Sequence, residues 1–157
     1  MKKLIIAISV LFLSLTVAQA QPYKAAFGLE GGFGGVGVTY KQFTGPSNFV
    51  DFKANLTLGG ATSVMLTGTF DWNVPISGGF QFFYGLGAGA GLAFASSYSV
   101  FSLGVFGNLG LEYAFSAIPF AISVDWNPGY YASLSNGLHG AFGWNHYVAN
   151  VGIKYTF

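Results

Sequence analysis

The sequence predicts an all-β chain, a closed up-and-down antiparallel transmembrane β-barrel of about eight strands, and three observations carry that expectation. Apolar and polar residues alternate along most of the chain, the period of two of an extended strand. Every charged residue of the alternating region except Lys24 falls on the polar parity of its segment. The apolar parity is bulkier than the interior of so small a barrel can hold, because about eight strands enclose a space only just wide enough for their own side chains. That third observation orients the wall: Phe and Leu face outward while charges and glycines face inward, the reverse of a soluble sandwich.

Composition removes the main alternatives. Charged residues make up 7% of the chain, against about a quarter in ordinary soluble domains. Residues 1–20 read as a cleavable signal peptide and not as fold. Lys2 and Lys3 form its positive start, Leu4 to Val17 its apolar stretch, and Ala18-Gln19-Ala20 its small-residue cleavage site. Residues 21–157 are then one domain, the barrel, and hold no run of about 18 apolar residues that could cross a membrane as a helix. Cysteine is absent, so no disulfide supports the fold. Beyond the leader, Lys24, Lys41, Lys53 and Lys154 stand against Glu30, Asp51, Asp71, Glu112 and Asp125, with no arginine. This balance offers neither a basic face for nucleic acid nor a polybasic tract for lipid headgroups.

The strands follow in order. The first, roughly 24–31, sets Phe27 and Leu29 against Glu30; the second, 35–43, sets Val36, Val38 and Tyr40 against Thr39 and Lys41. In the third, 49–59, Val50, Phe52, Ala54, Leu56 and Leu58 oppose Asp51, Lys53, Asn55 and Thr57. The fourth, 63–74, places Val64, Leu66, Phe70 and Trp72 opposite Met65, Thr67, Thr69, Asp71 and Asn73. The fifth, 80–95, alternates Phe82, Tyr84, Leu86 and Leu92 with Gly85, Gly87, Gly89 and Gly91. The sixth, 99–115, opposes Leu103, Val105, Leu109, Leu111 and Tyr113 to Gly104, Asn108, Gly110 and Glu112. The seventh, 119–128, carries Phe120, Ile122, Val124 and Trp126 against Ala121, Ser123, Asp125 and Asn127. The eighth, 146–157, carries Tyr147, Ala149, Val151, Ile153, Tyr155 and Phe157 against Val148, Asn150, Gly152, Lys154 and Thr156.

Proline marks every second connection, at 44–48, 75–79 and 116–119, where it ends pairing and presets a turn. Those are the expected periplasmic turns. Of the opposite connections only Gly129–Asn145 is long, and it is the one loop expected to be large enough for a partner. Tyr40, Trp72, Tyr84, Tyr113, Trp126, Tyr147 and Tyr155, at strand ends, fit interfacial aromatic girdles.

The chain closes with Val151, Ile153, Tyr155 and Phe157 at alternate positions. That pattern resembles the C-terminal signature that barrel-insertion machinery reads in outer-membrane proteins. With the leader and the short Gly-rich hairpins, residues 21–157 resemble the small outer-membrane β-barrel proteins common in Bacteroidetes. The resemblance implies a bacterial outer-membrane location, with membrane lipid and the insertion machinery as partners, and it implies no activity.

The candidate site is a charge network in the lumen: Glu30, Lys41, Asp51, Lys53, Asp71, Glu112, Asp125 and Lys154. Desolvated charges must be paired, so a network that plugs the barrel is expected, with a narrow polar path as the functional alternative. The inward glycines 85–91 either open a cavity or make room for Phe83, Phe106 or lysines from elsewhere on the wall. No helix follows Gly85-x-Gly87-x-Gly89, as a nucleotide loop would need. His139 and His146 lack the spacing and neighbours of a metal site, and no carboxylate lies beside Ser133, Ser135 and His139 to complete a triad, with only Asp125 below. The expectation is therefore a barrel with a packed polar interior and a structural or interaction role, not an enzyme, with no cofactor. A narrow or gated pore and a soluble periplasmic ligand-binding barrel are the alternatives.

Overall fold

The computed structural model describes residues 23–33, 35–59, 62–95, 98–135, 141–145 and 149–157. The expected leader, Tyr147, His139 and His146 lie outside them. Ten strands follow in sequence: β1 (Ala25–Gly32), β2 (Gly35–Gly45), β3 (Asn48–Thr57), β4 (Thr62–Ser77), β5 (Phe80–Ala95), β6 (Tyr98–Ala114), β7 (Phe120–Trp126), β8 (Gly129–Ser135), β9 (Ala141–Asn145) and β10 (Ala149–Thr156). They pair antiparallel in the order β5-β4-β3-β2-β1-β10-β7-β6, and β6 returns to β5, so the sheet closes into a barrel.

The barrel has eight wall strands, because β7 with β8 and β9 with β10 each form one. The pairing of β6 runs from Leu109↔Trp126 to Phe106↔Gly129 without a change of register. Between them, Pro128 accepts a 2.8 Å bond from the Gly107 amide but has no N–H to return. On the facing strand, β9 pairs with β8 at Gly129↔Asn145 and β10 with β7 at Trp126↔Ala149, so that strand carries one more residue.

This corrects the expected long loop. Most of Gly129–Asn145 is wall, and only residues 136–140 connect β8 to β9. Alternation was masked there because the inward residue is the aromatic Tyr131 and an outward one is the small Ala132, while Pro128-Gly129 reads as a turn. A second correction concerns Pro75. It lies within β4, paired with Gln81 just past the last β3–β4 pair at Asn48↔Trp72, so its missing donor faces no partner strand. The turn itself is Gly78-Gly79, both at positive φ (60° and 93°), as a tight type I′ hairpin requires.

The wall is uneven in height. β1, β2 and β3 have 8, 11 and 10 residues, near the 9–11 or so of a membrane-crossing strand, whereas β4, β5 and β6 have 16, 16 and 17. The outward parity is apolar all round, with Leu29 61% exposed, Leu86 69% and Val105 63%. Near the proline-bearing turns that face carries a belt of aromatic pairs, including Trp72 on Tyr84 (5.7 Å between centroids), Phe80 with Tyr113 (4.6 Å) and Phe120 with Tyr155 (5.7 Å).

Candidate functional site: the barrel lumen

All eight charged residues of the candidate network point inward and are buried. Strand parity turns each one in, and closure brings together residues far apart in sequence. Near the turn end, Lys41 of β2 forms a 2.9 Å ion pair with Glu112 of β6. Lys154 of β10 stands 3.4 Å from Glu112 and 3.8 Å from Asp51, which also accepts a 2.6 Å bond from the Thr39 hydroxyl. Farther along the axis, Lys53 of β3 lies between Glu30, at 3.1 Å, and Asp125.

Asp71 is held differently from the rest. Among the described residues it forms no ion pair; it accepts hydrogen bonds from the Thr69 hydroxyl and from Asn108, at 2.8 Å. Asn108 in turn accepts from Asn127 at 2.8 Å, and Asn127 from Asn150 at 3.4 Å. This amide belt crosses from β4 to β10. It passes β5 at Gly85, which pairs with both Asp71 and Asn108 and whose missing side chain leaves room for the Asp71 carboxylate.

The turn end of the lumen is stoppered by aromatic rings, a feature that alternation alone did not reveal. Tyr23, Phe43, Phe49 and Phe83 are buried there in successive edge or tilted contacts at 5.4–5.5 Å, backed by Ala26, Ala114 and Ala121. The Lys41 ammonium sits among them, 3.9 Å from the Phe49 centroid and 5.0–5.4 Å from the other three. The Tyr23 hydroxyl donates to Glu112, which joins the stopper to the ion network. One signal was present in the sequence: Phe43, Phe49 and Phe83 occupy the polar parity of strands whose other inward residues are polar, charged or glycine.

Toward the opposite end the inward side chains are smaller and leave open space. A cavity of about 290 Å³ lies there, with Lys53, Asn127 and Asn150 toward its floor and Ser63, Met65 and Ser102 on its walls. The inward glycines serve both purposes weighed from the sequence. A β-carbon at Gly87 would stand 2.8 Å from Phe106 Cε2, and one at Gly110 2.7 Å from Phe83 Cε2, so these positions admit aromatic rings. Gly89 and Gly91 face Thr67 and Met65 beside the cavity.

Among the described residues no group of three His, Asp or Glu side chains could hold a metal. Asp125, the one carboxylate considered for a triad, is engaged by Lys53. Val151, Ile153, Tyr155 and Phe157 lie on the outer face, each about half exposed. No protein-family model, no curated protein and no solved structure matches the chain.

Proposed function

We propose that this chain is an integral β-barrel of a bacterial outer membrane, exported by a cleaved signal peptide and related to the small barrels it resembles in sequence. Its role is structural or interaction-based and not enzymatic, and it needs no cofactor. One observation carries the reading: the wall is inverted. Phe, Leu, Val and Ile are exposed on the outward parity of every wall strand, while all eight charged side chains of the network are buried. Soluble monomers rarely expose apolar patches above a few hundred Å², and a lipid-facing barrel must do so. The partners are then outer-membrane lipid and, during biogenesis, the insertion machinery that reads Val151, Ile153, Tyr155 and Phe157. Nucleic acid is not among them.

Conduction is the second reading, and the cavity favours it at one end only. The ring stopper and the Lys41–Glu112 pair obstruct the other end. A soluble carrier of a hydrophobic ligand would need an apolar interior, whereas this lumen buries all eight charged side chains of the network.

The test is cell fractionation with a detergent gel, unboiled beside boiled. The expected result is outer-membrane recovery and a compact band that slows on heating. Recovery in the soluble periplasm with no heat-dependent shift would overturn the reading.

A further inference from the structure

We propose that the unfilled half of the lumen is a binding cup for one neutral, polyhydroxylated ring about the size of a single hexose. The lining chemistry selects that class. Asn127 and Asn150, linked to each other in the amide belt, and the hydroxyls of Ser63 and Ser102, the latter 3.1 Å from the Ser133 hydroxyl, are neutral groups able to donate and accept as sugar hydroxyls do. The Asn150 side-chain oxygen is buried and, among the described residues, has no hydrogen-bond partner. Unpaired buried acceptors are uncommon in native proteins.

Charge argues against an ionic ligand. The one cation at the floor, Lys53, is already held by Glu30 and Asp125. An anion would meet those carboxylates, and a cation would meet the ammonium. Phe106 of β6 and Tyr131 of β8 add apolar surface to the lining: their rings lie parallel within 6°, with centroids 6.4 Å apart. Such a surface matches the C–H face of a sugar ring. At about 290 Å³ the cavity is at the low end of small-molecule sites, roughly 300–1,000 Å³, which favours a single ring. The same ring chemistry is offered by a free sugar and by the end of a glycan chain.

The experiment titrates the barrel, refolded in a zwitterionic detergent without a sugar headgroup, with glucose and galactose by saturation-transfer NMR. Ethanolamine and acetate serve as charged probes. A trisaccharide ending in the better hexose separates the two sources: binding equal to the free sugar supports a glycan end, and weaker binding supports a free sugar. The expected result is saturable hexose binding in the millimolar range. Ser63→Phe, which fills the cup from β4, should weaken it by about tenfold or more. Ser102→Ala, which adds no bulk, should weaken it by about three- to tenfold. Leu66→Ala, on the outer face, should leave it unchanged. Absence of hexose saturation, indifference to both cup variants, or tighter binding of either charged probe would overturn the proposal. Heat-shifted migration checks that each variant is a closed barrel, so failure of the cup is distinguishable from failure of the fold or of the membrane reading.

Discussion

Replacing Lys41 by methionine removes the ammonium from the stopper while keeping an unbranched stem of similar volume. The lost group forms a 2.9 Å ion pair with Glu112 and lies 3.9 Å from the centre of the Phe49 ring, fully buried. Breaking a buried pair by removing one partner costs about 3–5 kcal/mol, and a desolvated cation–π contact adds about 2 kcal/mol. Two features reduce the loss. Glu112 keeps Lys154 at 3.4 Å and the Tyr23 hydroxyl, so its carboxylate is not orphaned. The variant also no longer desolvates an ammonium. The expected net cost is about 3 kcal/mol, the lower end of the pair range. Lys41→Met/Glu112→Gln restores the charge balance of the lumen and should be less destabilised than Lys41→Met alone. The assay is reversible urea unfolding in lipid vesicles followed by tryptophan fluorescence, with heat-shifted migration as a check on closure. A single variant within about 1 kcal/mol of the parent, or a double variant whose cost is the plain sum of the two single ones, would refute the coupling.

Other perturbations probe the wall, the glycines and the plug. Val151→Arg, at an outward position 57% exposed, should cost about 2–4 kcal/mol in vesicles if lipid covers that face; a cost near zero would place the face in water. Gly104→Ala puts a methyl 2.6 Å from Tyr131 Cε1 and should cost about 1–3 kcal/mol in the same unfolding assay, with most of it recovered when Tyr131→Ala is added. In planar bilayers the parent protein should give no discrete conductance steps, and Phe49→Ala, which removes a buried ring from the stopper, should give measurable ones. Steps of equal size in both would show that the rings do not obstruct the lumen.

Much of the wall is legible in the sequence, because strand period and face are local properties of the chain. Phe52, Lys53, Ala54 and Asn55 alternate outward and inward whatever their partners, and the excess of apolar bulk decides which face is outside. Local pattern failed where size and polarity stopped agreeing with parity. Tyr131 is an inward aromatic beside Pro128-Gly129, so a wall strand read as a loop, and Phe43, Phe49 and Phe83 face inward among polar residues. What only the tertiary structure decided is the level at which each inward side chain sits. That level follows from strand register and barrel closure, which place Lys41 against Glu112 and Lys53 against Asp125 across 71 and 72 residues of sequence. The same register gathers the bulky rings at one end and leaves small polar groups and glycines at the other. Sequence alone therefore determined a barrel with a charged lumen, and closure divided that lumen into a stopper and a cup.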